Sequence, residues 1–313
     1  MTIKKITGLV AAPFAPMNVN GDLDPEIIPL YYEMLKTNGI SGAFINGSTG
    51  EGPSLTFLEK RQVIDSWVEA NEESGAIKII NLVGGTSVRE CRELALYSCQ
   101  KGADAIAVLS PYYFKPAKLT DLVDFIKEIA DVASELPVYY YHIPALTGVN
   151  FPMLDMICEI GENIPNFTGI KYTHCDLMDY FSCLKHDNYR YDILWGTDEA
   201  LLSALVLGCT GAVGSTYNYL APLYLSLIEK FKSGDLNEAR KLQGSANDVI
   251  YLLFKYGGIR TGKAFMRYIG LDCGKFRSPL NKFEDEKFRK LSEDINALGV
   301  DKLMSVYPKK FTV

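Results

Sequence analysis

Residues 167–174 read FTGIKYTH, and Lys171 stands directly behind the apolar run 167–170. Lysine is among the residues least often buried without a partner. Its amine therefore either leaves a strand end on its flexible stem or has its pKa lowered by its surroundings, so that it can attack an electrophilic carbon. Other stretches carry groups that such chemistry needs. GSTGEGPSLT (47–56) sets Ser48 and Thr49 inside a glycine turn that leads into a helix. Amides and hydroxyls at such a turn make an anion site, suited to a carboxylate or a phosphate. Helix capping by Ser54 or Thr56 accounts for part of the same stretch. In YYYHIPALTG (139–148), Tyr139 and Tyr141 share one strand face, where their hydroxyls can relay protons or simply pack in a core. His142 points the other way and reads as structural. Asp198 and Glu199 open GTDEALLSALVLG (196–208), where acids favour a helix dipole or accept hydrogen bonds from a polyhydroxylated ligand. GGIRTGKA (257–264) imitates a phosphate-binding P-loop, but Ala264 stands where the magnesium-binding Ser/Thr belongs and no strand precedes it. It is rejected.

The elements that must position these groups follow a regular order. Eight short apolar runs, at 8–14, 42–48, 77–84, 105–110, 137–143, 167–172, 191–197 and 210–216, alternate with stretches of helical periodicity. In 56–73, Leu58, Val63, Ile64, Trp67 and Val68 form one apolar side; 87–101, 119–134 and 221–232 have similar character. Apolar runs without clean alternation suit strands covered on both faces. Eight strand–helix units in about 230 residues predict a (β/α)8 TIM barrel over 1–232. Residues 233–313, with helices at Leu236–Tyr256, 262–268 and 284–298, form an additional C-terminal helical block packed on the barrel. An open doubly wound sheet is the alternative. Barrel enzymes carry their chemistry at the C-terminal strand ends, which places Ser48, Thr49, Tyr141, Lys171, Asp198, Glu199 and Ser215 around one mouth.

Composition narrows the class. The 313 residues are 48% hydrophobic and 22% charged, with a net charge of −6, so a sizeable core forms and no basic stripe for nucleic acid is expected. The seven cysteines are scattered and lack a CxxC pair, which predicts reduced thiols in the cytoplasm. No apolar stretch approaches the ~20 residues that span a bilayer, and the apolar start reads as a first strand. The tempting metal cluster His174-Cys175-Asp176 has neighbours on opposite faces, so no metal is expected.

GSTGE (47–51), YHIPALTG (141–148), GIKYT (169–173), GTDE (196–199) and GSTYN (214–218) occur in the order and spacing of the N-acetylneuraminate lyases. These sialic acid aldolases belong to the pyruvate-dependent class I aldolase superfamily that also holds dihydrodipicolinate synthase, and the chain resembles them over essentially its whole length. The resemblance implies that Lys171 forms a Schiff base with the C2 ketone of the open-chain sialic acid or of pyruvate. Tyr141 assists proton transfer, and Ser48 and Thr49 bind the carboxylate. Thr173, Gly196, Asp198, Glu199 and Ser215 contact the sugar-derived half. It also implies cleavage to pyruvate and N-acetylmannosamine without a cofactor, and a homotetramer.

Within that superfamily the synthases typically carry an arginine two residues after the proline of the tyrosine motif, to bind a dicarboxylic substrate. Here Leu146 follows Pro144-Ala145, which favours a sugar acid. The loop Ser110-Pro-Tyr-Tyr-Phe-Lys-Pro116 is similar to both groups, and its Tyr113 is a candidate for crossing into a neighbouring subunit's site. The competing readings are dihydrodipicolinate synthesis, another 2-keto-3-deoxy sugar acid, a metal-dependent class II aldolase, and a catalytically silent sugar-acid sensor.

Overall fold

A computed structural model of the chain describes residues 3–161, 163–280 and 283–307. Eight parallel strands close into a barrel in chain order: β1 Gly8–Ala11, β2 Gly42–Ile45, β3 Lys78–Leu82, β4 Ala105–Leu109, β5 Val138–His142, β6 Phe167–Tyr172, β7 Asp192–Trp195 and β8 Gly211–Gly214. The (β/α)8 expectation holds, and the open-sheet alternative does not. Between the strands run α1 Ile28–Thr37, α2 Phe57–Asn71, α3 Val88–Lys101, α4 Leu119–Ala130, the short α5 Pro144–Thr147, α6 Met153–Ile160, α7 Leu177–Lys185 and α8 Leu201–Val206. After β8 come α9 Tyr217–Lys232, then the C-terminal α10 Leu236–Tyr256, α11 Arg260–Ile269 and α12 Asp285–Leu298.

Strand parity divides the core in two. Outward residues such as Leu9, Ile45, Ile79, Val108, Tyr140, Ile170 and Trp195 pack against the helices in one large cluster. Inward residues, among them Val10, Phe44, Ile80, Leu109, Tyr139, Tyr141, Leu194 and Val213, fill the barrel. Because both faces are buried, the strands read as continuous apolar runs. The barrel interior also holds polar groups. Tyr139 donates to Asp192 Oδ2 at 2.7 Å, and the same oxygen accepts the Ile6 amide at 2.9 Å. Burial pushes the Asp192 carboxyl up to about 6, against the pull of those two donors.

Three local expectations are corrected. The last barrel helix starts at Tyr217, not at 221, with a kink at Leu220 (φ −126°) ahead of Pro222. Proline has no N–H and its ring crowds the carbonyl four residues back. The displaced Ala221 amide is taken by Ser305 Oγ at 3.2 Å. Leu58 is exposed rather than part of the buried stripe of α2, because that stripe runs through Val63, Ile64 and Trp67. The fourth helix stops at Ala130 and tightens into a 3-10 turn, Asp131–Ala133. Of the two capping candidates, Thr56 caps α2 through a reciprocal box with Glu59.

Two glycines predict opposite effects of one added methyl. A Cβ on Gly169 falls 1.8 Å from the backbone oxygen of Asp192, across the β6–β7 pairing, whereas one on Gly244 in α10 meets nothing. Gly169→Ala is expected to destabilise by at least the 1–3 kcal/mol of an overpacked core (roughly). Gly244→Ala is expected to stabilise by about 1 kcal/mol through helix propensity. Urea titrations of both variants check the pair; shifts of the same sign contradict this packing.

Candidate active site

Lys171 sits on the inward parity of β6, with Tyr141 of β5 opposite it on one side and Leu194 of β7 on the other. Its side chain is enclosed, only 4% exposed. Nζ lies 3.9 Å from the ring centroid of Tyr141 and 4.0 Å from that of Phe44, and these two rings meet edge to face at 5.4 Å. Among the described residues no carboxylate forms an ion pair with it. Aromatic faces attract an ammonium, yet the loss of water outweighs them, and the pKa falls to about 7; the negative charge of Asp198 opposes that fall. At neutral pH a substantial fraction of the amine is therefore free to act as a nucleophile.

The phenol of Tyr141 is displaced the other way, up to about 12, because burial penalises phenolate; the hydroxyls of Ser48 and Thr173 facing it oppose the rise. Thr173 Oγ1 is near enough to exert that pull but makes no well-formed hydrogen bond within the protein. Gly196 makes this crowding feasible, since a Cβ there would come 2.0 Å from Thr173 Oγ1. The Thr173 main chain is fixed by its amide bond to His142 O at 2.8 Å, and Gly196 by its bond to Tyr172 O at 2.8 Å.

The turn after β2 is bent by two non-glycine residues in the left-handed region, Asn46 at φ 56° and Glu51 at φ 55°, a conformation held only where surroundings over-determine it. Gly52 is required where a Cβ would strike Asn46 O at 1.9 Å. The amides of Glu51 and Gly52 fold back to Ser48 O (3.2 Å) and Gly47 O (3.0 Å). Those of Ser48 and Thr49 have no partner among the described residues. Two such amides with two hydroxyls beside them, at a barrel mouth, are the kind of donors an anion receptor uses.

Asp198 and Glu199 divide. Glu199 is exposed; Asp198 is buried. Asp198 Oδ2 accepts Thr216 N at 2.9 Å and Thr216 Oγ1 at 2.6 Å, and Thr216 Oγ1 lies 2.9 Å from the Tyr224 hydroxyl. Oδ1 lies over Gly214, whose hydrogen cannot be replaced by a methyl, because the Cβ would fall 1.9 Å from that oxygen. Burial raises the Asp198 carboxyl to about 6, against the hydrogen bonds of Thr216. Ser215 directly follows β8, half-buried, its carbonyl accepting Asn218 Nδ2 at 2.7 Å. Tyr113 stands apart, 77% exposed with its ring against Phe114. His142 faces the outer layer, its ring among Tyr140, Tyr172 and His174. Leu146 lies exposed on α5, just beyond β5.

Reasoning from sequence missed several contributors. Phe44 was accessible to it, since the period of two on β2 points that ring inward; Thr216 lies within GSTYN. Gln243 of α10, which donates to Asp198 O at 3.2 Å and accepts the Leu202 amide at 3.0 Å, has no local signal. Nor does the partner of Glu51: Lys263 Nζ donates to Glu51 Oε1 at 2.7 Å, both side chains 2% exposed. The lysine of the false P-loop is thus a buried counter-ion.

The shifted amine makes a testable demand on stability. Between about 7 and the ordinary lysine value, the unfolded chain binds a proton that the native protein does not, so native stability climbs with pH across that window. Below it, the full cost of a buried ammonium remains. Lys171→Met removes the titration, so the variant is expected to exceed the parent in stability most at pH 6. That margin then shrinks by up to roughly 1.4 kcal/mol per pH unit towards pH 10. Denaturant midpoints across that range check it; a constant margin refutes the lowered pKa.

Comparison with known proteins agrees with this geometry. The Dihydrodipicolinate synthetase family matches residues 5–298. The chain is 42% identical to the N-acetylneuraminate lyase of Homo sapiens and 41% identical to that of Rattus norvegicus, in each case over 287 residues, 90% of this chain and 89% of the relative. Its structure is similar to that of the Proteus mirabilis N-acetylneuraminate lyase, with a TM-score of 0.91 at 34% identity, covering 94% of this chain and 99% of that one. With a family match spanning nearly its whole length, and an inward lysine on the sixth strand of a closed barrel, this chain belongs to the Dihydrodipicolinate synthetase family.

Proposed function

We propose that the protein is a class I aldolase that reversibly cleaves N-acetylneuraminate to pyruvate and N-acetylmannosamine. The observation that carries this reading is the amine of Lys171, enclosed between the rings of Tyr141 and Phe44, in no ion pair among the described residues, and brought down to about pKa 7. The relatives named N-acetylneuraminate lyase support the choice of substrate.

The amine attacks the C2 ketone of the open-chain sugar acid and water leaves, giving an iminium. The C4 hydroxyl then loses its proton, the C3–C4 electrons move into the iminium, and N-acetylmannosamine departs as the aldehyde. Protonation of the enamine at C3 and hydrolysis release pyruvate and restore Lys171. Tyr141, protonated at neutral pH by its raised pKa, relays the proton between substrate and product. Ser48 and Thr49 hold the carboxylate by their amides and hydroxyls. Thr173, Gly196, Glu199 and Ser215 meet the polyol chain. Asp198, with one oxygen taken by Thr216, acts mainly through its charge on the iminium.

The synthase alternative needs a cation for a second carboxylate. Leu146 and the acids 198–199 argue against it, because they offer an apolar surface and negative charge instead. A silent sensor has no use for an unpaired buried amine, which costs stability without adding specificity. We place the enzyme in the cytoplasm, on the strength of its free cysteines. Among the described residues no helix is long and apolar enough to cross a membrane. We take it to be a homotetramer in which Tyr113 reaches a neighbouring site; the exposed run Tyr112, Tyr113, Phe114 supports a contact there. We take residues 1–232 as the barrel and 233–313 as an extension that braces it, of which 1–2, 162, 281–282 and 308–313 lie outside the described residues.

Treatment with pyruvate and borohydride is expected to add one reduced pyruvyl group, located by peptide mapping on Lys171. Tyr141→Phe is expected to keep that trapping while lowering cleavage of N-acetylneuraminate by about 10²–10⁴, followed as N-acetylmannosamine release. A folded protein that forms no adduct at high pyruvate overturns the proposal.

A further inference from the structure

We propose that Lys263 is a positioning residue for the substrate carboxylate: its buried pair with Glu51 anchors the turn that carries Ser48 and Thr49 to the C-terminal helical block. This rests on the carboxylate-binding role proposed above for that turn.

Glu51 is separated from Thr49 by one residue and sits in the left-handed conformation that closes the turn. Both of its oxygens are occupied from the C-terminal side: Oε1 by Lys263 Nζ at 2.7 Å, Oε2 by the Arg277 amide at 2.8 Å. Lys263 is itself held in place, donating also to Lys275 O at 2.9 Å and lying 4.6 Å from the Phe276 ring centroid. Arg277 then grips the far end of the same stretch, its Nη1 donating to Ser54 O at 3.1 Å and to Glu59 Oε2 at 2.8 Å. The turn is thus fixed from outside the barrel at Glu51, Ser54 and Glu59, by groups more than 200 residues away in sequence. By contrast, the Ser48 and Thr49 amides carry no partner among the described residues. Such donors need to be aimed by their surroundings, since a displacement of about 1 Å can cost on the order of 10²-fold. Neutralising either member of the pair leaves the other buried charge without its direct ion-pair partner, which the turn relieves by moving toward water.

The test uses the full-length protein and two single variants. Lys263→Met removes the cation while keeping most of the stem, and Glu51→Gln keeps the shape of the anchor while removing its charge. Each is expected to raise KM for pyruvate in the synthetic direction about 10-fold or more, with kcat changed less than about 3-fold. Hydrogen exchange is expected to quicken in peptides covering 47–55 while strands β4 to β6 stay protected. A KM equal to the parent's in either folded variant overturns the proposal, as does faster exchange spread evenly over the barrel, which marks a pair that only stabilises. Should Lys263→Met fail to accumulate, Glu51→Gln decides alone. If the parent forms no pyruvate adduct, the proposed reaction fails; the exchange pattern then still decides whether Lys263 holds the turn, because it does not require turnover.

Discussion

The chemistry proposed for this protein depends on keeping one amine out of water. A lysine in solvent is almost entirely protonated at neutral pH; to attack a ketone it must lose that proton at small cost. The barrel arranges this by closing apolar and aromatic side chains around Lys171, with no carboxylate among the described residues in an ion pair with it. The two rings that touch Nζ matter in this balance. They offer a modest quadrupole attraction to an ammonium, enough to tolerate the proposed iminium, but far less than the water they replace. A directly paired acid would reverse the outcome, raising the pKa and holding the proton in place.

That explains why the nearest influential acid is so restrained. Asp198 exerts a charge on Lys171, and Lys171 on Asp198, each favouring the ionised form of the other. Thr216 gives the carboxylate two hydrogen bonds, Gly214 admits its other oxygen, and Gln243 fixes the main chain beneath it. The acid therefore stays where its field reaches the reaction centre, without closing onto the amine. Burial shifts Lys171 toward neutrality, whereas Asp198, raised only to about 6, stays largely ionised at neutral pH, so its charge is available to a cation formed at the amine.

Much of this was legible in the chain because two periods govern it. A period of two places Tyr141 and Lys171 on the inward face and His142 on the outward one, and eight apolar runs between amphipathic stretches specify a closed barrel. Residues acting through their own strand or the turn after it, such as Ser48, Thr49 and Ser215, follow directly from that. The groups that escaped are those whose meaning lies in a distant partner. Lys263 in GGIRTGKA has the local pattern of a phosphate loop and the environment of a core ion pair, and only the packing of α11 against the turn after β2 separates the two. The helix boundary at Tyr217 was misplaced for a related reason: Pro222 ends a helix by local rules, but Ser305 supplies the lost partner from the far end of the chain.

The C-terminal block then has a physical purpose beyond covering apolar surface. Hydrophobic packing alone orients a loop poorly, because dispersion and solvent exclusion have little directional preference. A buried ion pair contributes little net stability over an apolar pair of similar volume, although removing one partner costs about 3–5 kcal/mol. Its value therefore lies in direction. Glu51 with Lys263, and Gln243 with the main chain at Asp198, each join a C-terminal helix to a rim loop bearing proposed substrate contacts, one on each side of the amine. Both place polar geometry where the barrel's own strands have ended and can no longer impose register. Extending the chain past the eighth strand is thus a means of holding the rim loops in direction by polar contacts from the C-terminal helices.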